Sequence, residues 1–267
     1  MHVAEPVTRS PWLPFGTSPD AGVRLLCLPH AGAGASVYRS WGTGLSGFVG
    51  VCPVQPPGRE RRYKEQPLSN APAIATRLAP EVLAEVTAPY AIFGHSTGAL
   101  CAFELAREIR RLNGPQPAHL FVAGRPAPQL PMERTAINGM SVTELAVVLR
   151  RLGGTPEEVL NDPDLLARFQ PLLAADFAVN ETYAYSLQPP LDIPITALAA
   201  TQDPMAGLTQ MLAWEEHTTA EFELHVLNGD HFAVFDREQG ALDRINTVLE
   251  AIVNRAGPGS SDPASRR

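Results

Sequence analysis

The stretch "YAIFGHSTGALCAFELAREIR", from Tyr90 to Arg110, reads as an apolar strand that runs straight into a helix. Between the two sit Gly94-His95-Ser96-Thr97-Gly98, a G-x-S-x-G string. Alone the string is weak; it carries weight in a strand–turn–helix context, and here "YAIF" supplies the strand and "ALCAFELAREI" the helix. A serine on so sharp a turn is forced into a strained backbone conformation. Side chains two residues to either side would then crowd the strand and the helix, which explains the paired glycines. The helix N-terminus behind Ser96 offers backbone N–H groups and a positive dipole end to a developing oxyanion.

Further short apolar runs flank this one: 23–30, 48–58, 119–124, 193–203 and 222–231. They are nearly continuous rather than alternating, as strands buried on both faces of a parallel sheet should be. Helical patterns at 74–86 and 98–112 separate them, so the expected fold is a doubly wound α/β sheet whose ligands bind beyond the strands' carboxyl ends. Residues 126–188 interrupt the rhythm with helical stretches only, divided by Pro163 and Pro171. One of them opens with a capping box, Ser141 with Glu144, and ends at Gly153-Gly154. A helical insertion of roughly 60 residues between two strands suggests a lid over a single domain spanning 1–267. The Pro-, Ser- and Gly-rich ends, 1–10 and 256–267 together with the first dozen residues generally, are expected to be poorly ordered.

A serine needs a base, and this fold requires the order Ser, acid, His. His231 follows the last apolar run, where the base belongs; His95 beside the serine should point into packing, and His30 ends an earlier strand. Asp203 ends the run "ITALAATQDP" between Ser96 and His231, and is preferred as the acid to Asp230, Asp192, Asp176 and Glu181. The last two are read as polar groups of the lid or surface. The predicted oxyanion donors are the N–H of Thr97 and that of Ala31, in the small-residue loop "LPHAGAGAS", with Gly32 the second choice. That loop carries no G-x-x-x-x-G-K-[ST] phosphate signature and does not itself fit G-x-G-x-x-G. No His/Cys/Asp spacing suggests a metal site.

The composition sets the class. The 267 residues are 45% hydrophobic and 18% charged, with a formal net charge of −7, a balance that does not draw nucleic acid or anionic membrane by bulk charge. The three cysteines are odd in number and sit in apolar runs, so buried thiols are expected rather than a disulfide framework. The opening "MHVAEPVTRSPW" has no apolar core of a signal peptide, and no apolar run nears the ~20 residues of a membrane span. A reducing, cytoplasmic compartment is the expectation.

Taken in order, "LCLPHAGAGASVYRSW", "VQPPGRERR", "FGHSTGALCAFELAR", "RLGGTPEEVL", "DFAVNETYAY", "TQDP" and "NGDHFAVF" resemble the stand-alone type II thioesterases that accompany modular polyketide synthases and nonribosomal peptide synthetases. The resemblance implies an α/β-hydrolase fold with a helical lid between the sixth and seventh strands, and carries a triad onto Ser96, Asp203 and His231. It also implies the substrate: acyl groups on the phosphopantetheine arm of acyl or peptidyl carrier proteins, with no cofactor of the enzyme's own. Thr97 departs from the family's commoner Met, at a position that acts through its backbone. Arg59, Arg61, Arg62 and Lys64 are candidate carrier-docking residues; the competing reading has Glu60 and Glu65 neutralise them and makes Arg59 a structural ion pair. A general carboxylesterase or lipase of the same fold is the alternative enzyme, and a silent hydrolase-fold binding protein the alternative of another class.

Overall fold

The computed structural model describes residues 10–131, 137 and 139–256. Within them lie six strands: β1 (Val23–Leu28), β2 (Val49–Pro53), β3 (Tyr90–His95), β4 (Leu120–Ala123), β5 (Ile195–Ala200) and β6 (Phe222–Leu227). They form one sheet in the order β2-β1-β3-β4-β5-β6, parallel at every pairing. The chain winds outward from β1 first one way and then the other, so the switch point lies between β1 and β3.

Alternation along each strand feeds two cores. Leu26, Leu28 and Ile92 face the layer made by α1 (Ala71–Glu85) and α2 (Thr97–Arg111). Leu25, Cys27, Ala91 and Phe93 face Tyr38, Trp41 and α7 (Ala241–Ala256). Burial on both sides is why these segments read as unbroken apolar runs. β6 is the exception. As an edge strand it is only partly buried before Leu227, and the chain leaves the sheet there rather than continuing to His231. A short helix, α6 (Leu208–Leu212), follows β5.

Between β4 and β5 lie α3 (Val142–Leu152), α4 (Glu157–Leu160) and α5 (Pro163–Glu181). Among the described residues these are the fourth and fifth strands, because residues 10–22 form turns; counted with the two strands that precede β1 in a full α/β-hydrolase sheet, they take the sixth and seventh places where the resemblance puts the insertion. The helices share a small core of their own, built on Leu145, Leu149, Leu160, Leu166 and Leu173. The capping box at α3 is made: Ser141 N–H donates to Glu144 Oε2 at 2.8 Å and Glu144 N–H to Ser141 Oγ at 3.3 Å. Pro171 does not divide the segment as the sequence suggested. α5 runs through it for 19 residues, with Leu166, Leu172 and Leu173 buried on either side, and stops at Glu181 before "TYAY". Residues at the near end of the insertion belong to the body, since Ala127 packs in the main core and its N–H donates to the Gln210 carbonyl at 3.1 Å.

The expected loose ends at 1–9 and 257–267 lie outside the described residues. The expectation fails just inside them. Ser10 N–H donates to Glu85 at 2.8 Å, and Trp12 and Leu13 are core residues, since two large apolar side chains outweigh the local Pro and Ser content.

Candidate active site

Four loops from the carboxyl ends of β1, β3, β5 and β6 meet above the sheet. Ser96 sits between β3 and α2 at φ 54, ψ −121, a left-handed-side conformation that few non-glycine residues adopt. The flanking glycines are there for room. A Cβ on Gly94 would strike the Gly98 carbonyl, and one on Gly98 would strike the carbonyl of Leu28 in β1. Thr97 is the first residue of α2, so its N–H belongs to the unpaired first turn of a helix and points with the dipole.

His231 and Asp203 are joined. The His231 Nδ1–H donates to both carboxylate oxygens of Asp203, at 3.0 and 2.9 Å, with both side chains buried. That fixes the tautomer and leaves Nε2 for Ser96. Asp203 Oδ1 also takes the Met205 N–H at 2.7 Å, which holds the carboxylate from its own loop. Ser96 and His231 line one cavity, with no hydrogen bond between their side chains. The rival acids lie away from His231 Nδ1 or are engaged elsewhere. Asp230 is exposed and accepts the Phe232 N–H at 2.8 Å, Asp192 is exposed at the far end of β5, and Glu181 accepts the Ile137 N–H at 3.1 Å.

His95 is fully buried as expected, but it is more than packing. Its Nε2–H donates to the His231 carbonyl at 2.8 Å, while Nδ1 has no partner. Burial, with His231 and His30 nearby, holds its pKa well below the usual imidazole range, so the ring stays neutral. His30 donates from Nδ1 to the Ala31 carbonyl at 3.0 Å, and burial lowers its pKa to about 4.

On the loop after β1 the structure separates the two candidate oxyanion donors. The Gly32 N–H is taken by Asp176 Oδ2 at 2.7 Å, so the second choice is unavailable; Ala31 lines the cavity beside Ser96. Asp176 is also held by a bidentate pair with Arg59, at 2.8 and 2.7 Å. Burial pushes its carboxyl up from the usual range, and Arg59 and the Gly32 N–H draw it back. Two expectations are corrected here. Arg59 is 6% exposed and cannot meet a partner protein, because its guanidinium is spent on Asp176 and on the carbonyls of Ala33 and Pro57. Asp176 is not a surface acid, because an ion pair and an N–H compensate its burial. Its signal was available in the sequence: Leu172, Asp176 and Val179 share one helical face, an acid in an apolar stripe. Arg62 is also held, by Glu65 at 2.6 Å, by the Gln55 carbonyl at 2.9 Å, and over the Trp12 ring at 4.5 Å; Arg61 is exposed.

Asn180, unremarked in the sequence, donates from Nδ2 to Thr97 Oγ1 at 2.8 Å and accepts from Arg125 Nε at 3.0 Å. Burial lowers the Arg125 pKa to about 10, which leaves it cationic at neutral pH.

The cavity that holds Ser96 and His231 has a volume of about 250 Å³. Leu149 and Leu152 of α3, Val159 of α4, and Phe169, Leu173 and Phe177 of α5 give it an apolar roof. A G-x-G-x-x-G string does exist elsewhere, at Gly42–Gly47, but it precedes β2 instead of linking a strand to a helix, so it lacks the dinucleotide-binding context. Among the described residues no group of three or more His, Cys, Asp or Glu side chains could hold a metal ion, and no helix is long and apolar enough to cross a membrane.

The thioesterase domain family matches residues 23–252. The chain is 39% identical over 250 residues to "Linear gramicidin dehydrogenase LgrE" of Brevibacillus parabrevis, covering 92% of this chain and 95% of that one. Among solved structures it resembles the RedJ thioesterase from the prodiginine biosynthetic pathway in Streptomyces coelicolor, with a TM-score of 0.80 and 38% identity over 85% of each chain. It resembles equally the type II thioesterase BorB from the borrelidin biosynthetic cluster, with a TM-score of 0.79 and 37% identity over 88% of this chain and 95% of that one. With Ser96 on its strand–helix turn and the cavity between the strands' carboxyl ends and α3–α5, these matches make the chain a member of the thioesterase family, among the type II thioesterases of nonribosomal peptide and polyketide pathways.

Proposed function

We propose that this chain is an editing hydrolase that removes acyl groups from the phosphopantetheine arm of carrier proteins, with Ser96, His231 and Asp203 as its triad. The observation that carries the reading is the Asp203 carboxylate on His231 Nδ1, beside a serine on a strained helix N-terminus in the same cavity. Ser96 Oγ attacks the thioester carbonyl and its proton passes to His231 Nε2. The carbonyl electron pair moves to oxygen, which the Thr97 and Ala31 N–H groups stabilise. Collapse of this intermediate breaks the C–S bond, and the thiolate takes the proton from His231. Water then attacks the acyl-serine with His231 taking its proton, the C–Oγ bond breaks, and Ser96 takes the proton back from His231 as the acid leaves. Asp203 stabilises the imidazolium in both halves. A thiolate leaves more readily than an amine, so the demand on His231 as an acid is modest. No cofactor is required, since the substrate brings the phosphopantetheine.

The apolar roof of α3–α5 suits an acyl chain and acts as a lid, which must admit the long arm of a carrier. On the surface, Arg61 with Lys64 offers exposed positive charge on the segment after β2, suited to an acidic carrier. Hydrolysis of one acyl group on a carrier protein, on a small thiol and as the matched oxygen ester tests the reading. It requires the highest kcat/KM on the carrier; a higher value for the oxygen ester would favour a general carboxylesterase instead.

A further inference from the structure

One helix face reaches both walls of the oxyanion hole. Asp176 and Asn180 are four residues apart on α5, so they project from the same side, one turn from each other. Asp176 Oδ2 accepts the Gly32 N–H at 2.7 Å, and Asn180 Nδ2 donates to Thr97 Oγ1 at 2.8 Å. We infer that α5 is a brace for the oxyanion hole, with Asp176 and Asn180 as positioning residues for the Ala31 and Thr97 donors. The inference rests on the catalytic reading above and adds to it two residues that touch no reacting atom.

Each contact is fixed from behind. Arg59 grips Asp176 through two hydrogen bonds and donates to the Ala33 carbonyl at 3.2 Å, so the loop is held on both sides of Gly32. The peptide joining Ala31 to Gly32 is pinned at its two polar edges, its carbonyl by His30 Nδ1 and its N–H by Asp176. The preceding peptide, which carries the Ala31 N–H, is the one left to meet a substrate oxygen. On the other wall, Arg125 Nε donates to Asn180 Oδ1 at 3.0 Å, which orients the amide so that its N–H₂ meets Thr97. The Thr97 hydroxyl, at a position whose backbone N–H was the only expected contribution, therefore ties that residue to α5. Donors aimed at a developing charge must be placed within about 0.5 Å, and losing one outright costs on the order of 10²–10³ in kcat. Loosening one should cost less.

The test uses Asn180→Ala, Thr97→Val, their double variant and Asp176→Asn, with a small acyl thioester as substrate. An acyl trifluoromethyl ketone serves as probe: Ser96 Oγ bonds to its carbonyl carbon, the carbonyl electron pair moves to oxygen, and the serine proton passes to His231. Expected is a loss in kcat of about tenfold for each single variant with KM within about threefold, and a Ki for the ketone that rises as kcat/KM falls. Because Asn180 and Thr97 act through one contact, the double variant should be no worse than the worse single. A Ki unchanged at reduced kcat would mean only a smaller folded fraction and would overturn the brace, as would wild-type kcat in the variants or multiplying losses in the double. Ser96→Ala separates the two levels: wild-type turnover there overturns the catalytic reading and the brace with it, whereas a dead Ser96→Ala beside fully active α5 variants overturns the brace alone.

Discussion

Ser96 keeps its φ of 54 because Gly94 and Gly98 let strand, turn and β1 approach within van der Waals distance. Gly98→Ala places a methyl group on the Leu28 carbonyl, where neither backbone can yield. It should destabilise the fold by about 2–3 kcal/mol or more and lower kcat, as read by denaturant unfolding and turnover. Asp203→Asn keeps the shape but removes the carboxylate charge and, with Met205 N–H holding the oxygen at Oδ1, puts an N–H₂ donor at the Oδ2 position facing His231 Nδ1, so kcat should fall by about four orders of magnitude with little change in unfolding midpoint. A loss below tenfold would assign the acid elsewhere. These residues were legible because their constraints are local: glycines around a strained serine, and an acid and a histidine just past apolar runs. The burial of Asp176 was marked by its apolar helical face and Arg59 was open to reading as an ion pair, but that the two pair with each other was not legible, since they lie 117 positions apart and no local pattern records such a contact. Asn180 and Thr97 are separated by 83 positions and were missed for the same reason.

Element by element, the sheet and its two main helices follow from continuous apolar runs and helical spacing, because burial on both faces leaves no room for polar residues. What failed did so where packing outweighed local propensity: α5 continues through Pro171, and the segment holding Trp12 and Leu13 joins the core. The basic segment after β2 divides in the same way. Only part of "PPGRERR" is surface, because Arg59 reaches inward and Arg62 lies over Trp12. Arg61→Glu should therefore raise KM for an acyl-carrier substrate several-fold at low salt, about an order of magnitude at most, and leave KM for a small thioester unchanged. Equal shifts on both substrates would contradict docking there. Arg62→Glu should instead lose stability, since it breaks contacts with Glu65 and the Gln55 carbonyl.

Across the whole molecule, burial keeps several imidazoles neutral. It lowers the pKa of His30 and of His217 to about 4, that of His119 to about 3, and that of His95 well below its ordinary value. In the unfolded chain these groups titrate near 6.5. Between roughly 6.5 and 4 the unfolded chain therefore binds more protons, so stability should fall as pH drops through that window. Denaturant midpoints measured from pH 7 to 4.5 should decline steadily, and His119→Gln should flatten the slope; constant midpoints would contradict neutral burial. The central claim concerns Ser96, and the most direct measurement is mass spectrometry of the enzyme quenched within one turnover of an acyl-carrier substrate. The account predicts an acyl group on the peptide containing Ser96, absent from Ser96→Ala; an acyl group on another residue, or turnover by Ser96→Ala at the wild-type rate, would contradict it.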